Sequence, residues 1–319
     1  MIELSVIIPI YNESLNIHLL HEKLTKVVSN LAKSYELIFI NDGSKDDSLE
    51  LIKELSLTDK NVKFIDLSRN FGHQIAVSAG LDYCKGQNVV IIDADLQDPP
   101  ELIEPMWQKL KEGYQVVYAK RRARAGEGYL KKFTAKMFYR LLSKITSFPI
   151  PVDTGDFRIM DRRVVDGLCQ MKENHKFLRG QIAWIGFNQT FVEYDRAERN
   201  AGITGYSYKK MINLALNGIT AFSNVPIKFV TISGFVVSAI AFLMIIYSFI
   251  AKYIIVTGYV GGWSSIMVSI MFLGGVQLIS LGIIGEYISR INTDVKQRPL
   301  YFVAETNAEN VENKDKKTE

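Results

Sequence analysis

Two aspartates, Asp93 and Asp95, stand one residue apart at the end of an apolar segment, residues 89–92. Carboxylates this close repel each other unless a cation neutralises them. A divalent metal held by one carboxylate and two phosphate oxygens of a nucleotide diphosphate would do so, and Mg2+ or Mn2+ suits such oxygen ligands. An Asp-X-Asp tripeptide alone is weak evidence, but the longer run DADLQDPPE at residues 93–101 is much more specific.

A second group of chemically capable residues is basic. Residues 120–144 contain nine lysines and arginines and one acid, Glu127, with apolar residues at helical spacing between them. This pattern predicts an amphipathic helix on an anionic membrane surface, although an ordinary surface helix with a solvated basic face would look the same. Guanidinium groups at that level could bind a phosphate that arrives from the bilayer, or lipid headgroups alone.

The elements that must position these residues alternate along the first 119 residues. Apolar runs predict strands at residues 4–10, 36–40, 62–67, 88–92 and 115–119, and helical spacing predicts helices at 13–33, 46–57, 72–84 and 99–112. Regular alternation predicts an α/β fold with a doubly wound, mostly parallel sheet. Ligands of such sheets bind beyond the carboxyl ends of the strands, where the polar clusters 11–13, 41–44, 68–70 and 93–95 fall. Walker and GxGxxG phosphate-binding sequences are missing.

Two long apolar runs follow. Residues 229–251 and 253–285 carry no charged side chain, and each exceeds the roughly 20 residues that a helix needs to cross a bilayer. We predict membrane spans near 229–251 and 266–288, with buried core helices as the alternative. Lysines and arginines flank the outer ends of the pair, which predicts that the N-terminal domain and both termini are cytoplasmic. The two cysteines, Cys84 and Cys169, provide no disulfide framework.

Three ordered motifs carry a family resemblance. The runs VIIPIYNE at 6–13, NDGS at 41–44 and DADLQDPPE at 93–101 together resemble family 2 glycosyltransferases, over roughly residues 3–225. Within that family the pattern is similar to dolichol-phosphate mannose synthases and to bacterial polyprenyl-phosphate (bactoprenol) glucosyltransferases, and two spans fit the bacterial group better. The resemblance implies a GT-A type fold in the bacterial plasma (inner) membrane. It also implies inverting transfer of one sugar, with UDP-glucose as first choice, to polyprenyl (undecaprenyl) phosphate for cell-envelope glycosylation.

The resemblance also implies roles for residues on the donor side. It assigns the metal to Asp95 and Gln97, and the diphosphate to a mobile loop that includes Arg199. The nucleotide sugar is assigned to residues at the ends of the first, second and fourth predicted strands: Pro9, Tyr11, Asn12, Glu13, Asp42, Ser44, Asp93, Ala94 and Asp95. Taken alone, Tyr11 could equally be a packing aromatic, and Asp42-Gly43-Ser44 a simple turn.

On the acceptor side, Arg121 matches the position that contacts the acceptor phosphate in the synthases that the chain resembles. Arg122, Arg124 and Arg158 are further candidates for that phosphate. Asp156 is the candidate catalytic carboxylate. A phosphate monoester is largely dianionic at neutral pH and attacks without losing a proton, so Asp156 could orient the acceptor or Arg158 rather than act as a base. A helix N-cap with an ion pair is the alternative for Asp156.

These interpretations divide the chain into four parts. Residues 1–119 are predicted to bind the nucleotide sugar, 120–226 the acceptor at the membrane interface, 227–289 form a transmembrane hairpin, and 290–319 a cytosolic tail that is disordered from about 304. The expected partners are a UDP-sugar, the prenyl lipid and the membrane, without nucleic acid; small residues in the second span permit a homo-oligomer. Alternatives are GDP-mannose, UDP-GlcNAc or a UDP-arabinose derivative as donor, a processive or hydroxyl-directed transferase, and a catalytically inert membrane scaffold.

Overall fold

A computed structural model of the chain describes residues 2–122, 154–195, 225–253 and 262–310. The predicted basic helix therefore lies outside the described residues beyond Arg122, and with it Arg124. The predicted mobile loop with Arg199 also lies outside them.

Strands and helices alternate through the first 121 residues as the sequence predicts. Their bounds are β1 (Leu4–Ile10), α1 (Ile17–Leu31), β2 (Tyr35–Asn41), α2 (Ser48–Thr58), β3 (Val62–Leu67), α3 (His73–Tyr83), β4 (Asn88–Ile91), a 3-10 turn (Pro100–Leu102), α4 (Ile103–Lys111) and β5 (Val116–Arg121). The later elements are β6 (Thr154–Asp161), α5 (Arg162–Gln170), α6 (Leu178–Ile185), β7 (Gln189–Tyr194), α7 (Val225–Tyr253), α8 (Trp263–Val295) and β8 (Val303–Thr306).

Within the described ranges the strands form one sheet of eight in the order β7-β5-β6-β4-β1-β2-β3-β8. The pairs β1–β2, β2–β3, β1–β4 and β5–β7 are parallel, whereas β6 runs antiparallel to β4 and β5, and β8 runs antiparallel to β3. The predicted α/β class with a mostly parallel sheet is confirmed. The strand order reverses at β1, which lies between β2 and β4, and such a switch point opens a crevice at the carboxyl ends of the strands.

Helices cover both faces of the sheet, which is why the central strands are apolar without alternation. Every residue of β1 is buried. Val6 and Ile8 pack with α1 and α4 on one face, and Ile7 packs with α3 and α5 on the other. Helix α3 lies close to β1: a Cβ added at Gly80 would lie 2.5 Å from the Cγ2 atom of Ile7. Burial of each such aliphatic side chain contributes about 2 kcal/mol, so this double-sided core holds the carboxyl edge in place.

The two long C-terminal helices, α7 and α8, coincide with the predicted spans. In the part of the chain that the structure describes, one stretch, Phe272–Val295 of α8, is long and apolar enough to cross a membrane, and a shorter apolar stretch, Ile227–Val237, lies in α7. Large apolar side chains of both helices are exposed, for example Phe235 and Leu278. The two-span hairpin itself stays a prediction.

The predicted disorder from about residue 304 is wrong for the start of that segment. Residues of β8 pair with the edge of β3, and the backbone N–H of Phe64 donates to Asn307 Oδ1 at 2.7 Å. The N–H of Ser68 donates to the carbonyl of Phe302 at 2.9 Å. Polar composition misled the prediction, because an edge strand is held mainly by backbone hydrogen bonds and needs few apolar residues.

Candidate active site

The sheet brings the predicted site residues to one edge. Strands β1 to β4 end there, and β6 begins there because its antiparallel register pairs Arg158 with Ile91. The start of β6 therefore lies beside the residues that follow β4. Strands β5 and β7 also end at this edge, where Arg121 is paired with Tyr194. The residues brought together in this way are Asp93, Asp156, Arg121 and Tyr194.

The loops after β1 and β2 hold each other. The N–H of Asn12 donates to Ser44 Oγ at 3.0 Å, and the N–H of Lys45 donates to Asn12 Oδ1 at 2.8 Å. Asn12 adopts a left-handed conformation, φ 56°, which asparagine tolerates better than most residues. Pro9 is buried inside β1, whereas the Tyr11 side chain is 46% exposed at the edge. Tyr11 is thus the member of this group with a ring face that a nucleoside could contact.

Glu13 completes the loop after β1. Its carboxylate accepts a hydrogen bond from Asn16 Nδ2 at 2.7 Å, and its N–H donates to Ser48 Oγ at 3.2 Å. These contacts fix the loop against the start of α2. The predicted contact of Glu13 with the nucleotide sugar stays a prediction.

Asp42 organises the loop that follows β3. Its carboxylate accepts hydrogen bonds from the N–H groups of Phe71 at 2.7 Å and Gly72 at 3.0 Å. Burial raises the pKa of this carboxyl, and the two backbone hydrogen bonds act against that rise. Gly43 meets the same loop so closely that an added Cβ would lie 2.5 Å from the backbone nitrogen of Asn70. Asp42 therefore holds the loop in place, and its predicted contact with the nucleoside stays a prediction.

The Asp93-Ala94-Asp95 segment turns sharply after β4. Ala94 is buried, and Asp95 Oδ1 accepts a hydrogen bond from the N–H of Gln97 at 3.1 Å. Leu96 has φ 57°, a left-handed conformation that costs a leucine on the order of 1 kcal/mol or more. Strain of this kind tends to persist at functional sites, where the surrounding structure fixes a required geometry.

The acidic pair, Asp93 and Asp95, suits a bound cation that has few protein ligands. Among the described residues, no group of three or more histidines, cysteines, aspartates or glutamates could hold a metal by itself. Asp93 Oδ1 is buried without a hydrogen bond; its nearest cation is His73 Nε2 at 3.6 Å. Burial raises the pKa of Asp93 to about 6. Mg2+ is commonly bound by one or two carboxylates with substrate phosphates and water, and the donor set here matches that chemistry.

Asp156 lies at the centre of a charged cluster. Its Oδ1 atom is 2.9 Å from Arg158 Nη2 and 3.6 Å from Arg179 Nη2, and its Oδ2 atom is 3.1 Å from His73 Nε2 and 3.3 Å from Gln74 Nε2. Burial alone would raise the pKa of Asp156, but the hydrogen bond from His73 and the positive charges of His73, Arg179 and Arg158 hold it well below its usual range. Both carboxylate oxygens are occupied by donors, as expected for a group that orients its neighbours.

His73, Gln74 and Arg179 were not identified from the sequence. Burial acts to lower the pKa of His73, but the hydrogen bond to Asp156 and the charges of Asp93 and Asp156 raise it to about 9, so the imidazole is cationic at neutral pH. His73 and Gln74 open α3 directly after the polar cluster 68–70, and this position was the available signal. Arg179, at the start of α6, had no such signal in its local sequence.

Arg158 lies beneath Asp156 and is 1% exposed. Its Nε donates to the carbonyl of Asp156 at 2.9 Å, its Nη2 donates to the carbonyl of Gly155 at 3.0 Å, and its guanidinium lies 5.4 Å from the ring centre of Tyr118. Burial lowers the pKa of Arg158. This position disagrees with the predicted contact between Arg158 and an acceptor phosphate, because the buried guanidinium offers no accessible face.

Arg121 approaches the same region from β5. Its Nε donates to the Tyr194 hydroxyl at 3.3 Å, and its Nη2 lies 3.9 Å from Asp98 Oδ1. The Tyr194 hydroxyl donates to the same Asp98 oxygen. A Cβ added at Gly155 would lie 3.2 Å from Arg121 Nη2, so the guanidinium lies next to the residue that precedes Asp156.

Arg122, the residue after Arg121, is the more exposed of the two. Its side chain is 60% exposed, 3.8 Å from Glu193 and 3.8 Å from Asp195. Among the described cations predicted to bind the acceptor, Arg121 is thus near Asp156, Arg122 is on the rim and Arg158 is inaccessible.

The model for "Glycosyl transferase family 2" matches residues 5–169, slightly more than half of the chain, a range that includes β2 to β6 and nearly all of β1. The chain belongs to glycosyl transferase family 2. It is therefore a glycosyltransferase, and the family resemblance of its three motifs is confirmed.

Relatives of this glycosyltransferase match it over nearly its full length. The glycosyltransferase YkcC of Bacillus subtilis is 52% identical over 304 residues, which cover 95% of this chain and 93% of that protein. The SfII prophage-derived bactoprenol glucosyl transferase of Shigella flexneri is 40% identical over 308 residues, 97% of this chain and 99% of that protein.

Solved structures resemble the fold more distantly. Mannosyl-3-phosphoglycerate synthase from Rubrobacter xylanophilus is 16% identical, with a TM-score of 0.49 over 69% of this chain and 72% of its own. Glucosyl-3-phosphoglycerate synthase from Mycobacterium tuberculosis is 21% identical, with a TM-score of 0.46 over 68% and 77%.

Proposed function

We propose that this glycosyltransferase is a membrane-bound, inverting enzyme that transfers glucose from UDP-glucose to polyprenyl (undecaprenyl) phosphate. The observation that carries the proposal is the arrangement of opposite charges at one sheet edge. The Asp93–Asp95 pair suits a metal-bound diphosphate, and Arg121 and the cations around Asp156 suit an acceptor phosphate beside it. Relatives named bactoprenol glucosyl transferases, 40% identical over nearly the whole chain, support the choice of sugar and lipid.

On the donor side, Tyr11, Asn12 and Glu13 together with Asp42 and Ser44 would form the nucleoside pocket, supported from beneath by Pro9 and Ala94. Asp95 and Gln97 would hold a divalent metal, Mg2+ or Mn2+. A bound metal would stabilise the negative charge that develops on the departing diphosphate. Asp93 would contact the ribose and diphosphate, and Arg199, outside the described residues, would close over them.

On the acceptor side, Arg121 and Arg122, with Arg124 from outside the described residues, would bind the phosphate. We assign Asp156 an orienting role because its two oxygens already accept hydrogen bonds from Arg158, His73 and Gln74 and form an ion pair with Arg179. The phosphate needs no base, since its second pKa is about 6 and it is largely dianionic at neutral pH. Attack from the face opposite to the diphosphate inverts the anomeric centre, so an α-linked donor gives a β-linked product.

Membrane attachment would place the enzyme where its lipid acceptor lies. The C-terminal end of α8 contacts the catalytic domain, where Asn174 Nδ2 donates to the carbonyl of Thr293 at 3.1 Å. This contact suits a helix pair, α7 and α8, whose outer ends both lie on the cytoplasmic side with the catalytic domain. We propose the bacterial inner membrane as the location and retain the division at 119, 226 and 289, with β8 added to the catalytic sheet.

The test is transfer by the purified full-length protein in detergent with Mg2+, labelled UDP-glucose and undecaprenyl phosphate. We expect a labelled product that partitions into chloroform, and none when undecaprenol without phosphate replaces the acceptor. A product with GDP-mannose, UDP-GlcNAc or a UDP-arabinose derivative instead would change the sugar only. Label in a growing polysaccharide, or no product with any donor, would overturn the proposal in favour of a processive enzyme or an inert scaffold.

A further inference from the structure

A cleft of about 310 Å3 opens beside Asp156, on the face of the sheet that carries α3 and α6. We call it the α3–α6 cleft. Its walls are the first turns of the two helices and the connecting loop before α6. The polar residues among those that line it are His73, Gln74, Asp156, Asn174, His175, Lys176 and Arg179.

The charge of this cleft is positive. Arg179 and His73 both lie against Asp156, the one acid that lines the cleft, and the charge of Asp156 is also shared with Arg158 beneath it. Both helices present their N-terminal ends to the cleft, and the partial positive charge of a helix N-terminus adds to that of the side chains. Such a site attracts a compact anion, and a phosphate is the anion of the proposed reaction.

The cations that face the cleft are held in fixed positions. Asp156 binds Arg179 through one oxygen and His73 through the other, at 3.6 and 3.1 Å. Gln74 joins the two helices, because its Nε2 donates to Asp156 Oδ2 at 3.3 Å and its Oε1 accepts from the N–H of Leu178 at 3.1 Å. A site fixed before binding loses little conformational entropy when the ligand arrives.

The surroundings of the cleft favour a phosphate carried by a lipid. Asn174, on the rim, bonds to Thr293 and Asp294 at the end of the apolar helix α8. A lipid that lies along α8 would thus bring its headgroup to this rim. The acidic pair proposed for the donor diphosphate is close by, since Asp93 Oδ1 lies 3.6 Å from His73 Nε2.

We propose that the α3–α6 cleft binds the phosphate monoester of the lipid acceptor, with Arg179 and His73 as its ligands; this rests on the proposed function. Arg121 lies next to Gly155, the residue that precedes Asp156, so it adds a further cation near the cleft. A phosphate oxygen then forms the bond to the anomeric carbon while the bond from that carbon to the diphosphate oxygen breaks. The electron pair leaves with the nucleoside diphosphate, and no proton is transferred.

The test compares Arg179→Gln with Arg163→Gln in the full-length enzyme in detergent. Arg163 is a matched control, since its side chain is 64% exposed and pairs with Asp161 away from the cleft. Removal of a charge-assisted contact should raise the KM for undecaprenyl phosphate about tenfold or more, with the KM for UDP-glucose changed less than about twofold. Arg179→Lys should recover part of the loss, and His73→Gln should raise the same KM. Binding of UDP to each variant checks that the protein is folded.

The possible outcomes distinguish a failure of the cleft proposal from a failure of the proposed function. If the wild type makes lipid product and Arg179→Gln leaves both KM values unchanged, the cleft proposal is wrong and the proposed function stands. A rise in the KM for UDP-glucose alone would assign the cleft to the donor diphosphate and would also overturn the cleft proposal. If the wild type makes no lipid product at all, the proposed function fails, and the cleft proposal fails with it.

Discussion

In the parallel half of the sheet, β1 to β4, Asp42 and Asn12 at the carboxyl edge bond to backbone groups of neighbouring loops, whereas around β5, β6 and β7 the carboxylates of Asp156 and Asp98 bond to other side chains. Asp42 accepts from two backbone N–H groups, and Asn12 accepts from a third. In the other half, Asp156 is held by Arg158 and His73, and Asp98 by Tyr194.

This difference determines what a substitution does. Where a side chain bonds to backbone, its loss loosens a loop without leaving a charge unpaired. Where buried charges bond to one another, the loss of one partner leaves the other uncompensated, which is far more costly. We therefore expect substitutions in the parallel half to change activity without changing stability. Substitutions in the half with β6 should change both.

The largest expected effect is in the parallel half and on activity alone. Asp95→Asn keeps the side-chain oxygen that accepts from Gln97 but removes the charge that would bind the metal. We expect kcat/KM to fall on the order of 10^3-fold, with an unchanged melting temperature, because the stabilisation of the leaving group is lost. Near-normal turnover in a steady-state assay with titrated Mg2+ would refute the metal assignment.

The next largest effect is expected in the half of the sheet with β6, and it includes a loss of stability. Asp156→Ala leaves the Arg158 guanidinium buried without its carboxylate, and we expect the free energy of unfolding to fall by about 3 to 5 kcal/mol. The double variant with Arg158→Met should regain most of that loss, because no unpaired charge remains. Thermal unfolding of the single and double variants measures the coupling, and additive effects would contradict the pairing.

A smaller effect should follow from Tyr194→Phe. The substitution removes the hydroxyl that donates to the buried Asp98 and accepts from Arg121, and nothing else changes in shape. We expect a loss of about 1 to 2 kcal/mol in unfolding free energy, since a buried carboxylate loses a donor. Denaturant titration provides the measurement; Phe191→Tyr on the exposed side of the same strand is the control and should change little.

The smallest expected effect concerns pH. The pKa of His73 is raised from an ordinary 6.5 to about 9, so its stabilising contribution is complete below pH 6.5 and is lost as the pH rises through about 9. Melting temperatures of the wild type measured from pH 6 to pH 10 should therefore decline over this window more steeply than those of His73→Gln. Parallel curves for the two proteins would show that His73 is not charged in the fold.

The parallel half was predictable because its signals are local. Apolar runs marked β1 to β4 within a few residues, and the polar clusters that follow them lie at the predicted edge. The acidic pair and Arg121 were identified as candidates from the sequence for the same reason. The strand β6 was not predicted. The apolar residues Phe157, Ile159 and Met160 are typical of any buried segment, and Arg158 between them suggested an exposed one.

The amino-acid sequence by itself determined the α/β alternation, the acidic turn after β4 and the family, because each depends on residues close together in the chain. Tertiary structure alone decided that His73 and Asp156, 83 positions apart, share a hydrogen bond and that β8 closes the sheet against β3. It also decided that Arg158 is buried. The pairing of β6 with β4 and the contact of His73 with Asp156 join segments far apart in the chain, so they depend on how the whole chain folds and not on residues close together in sequence.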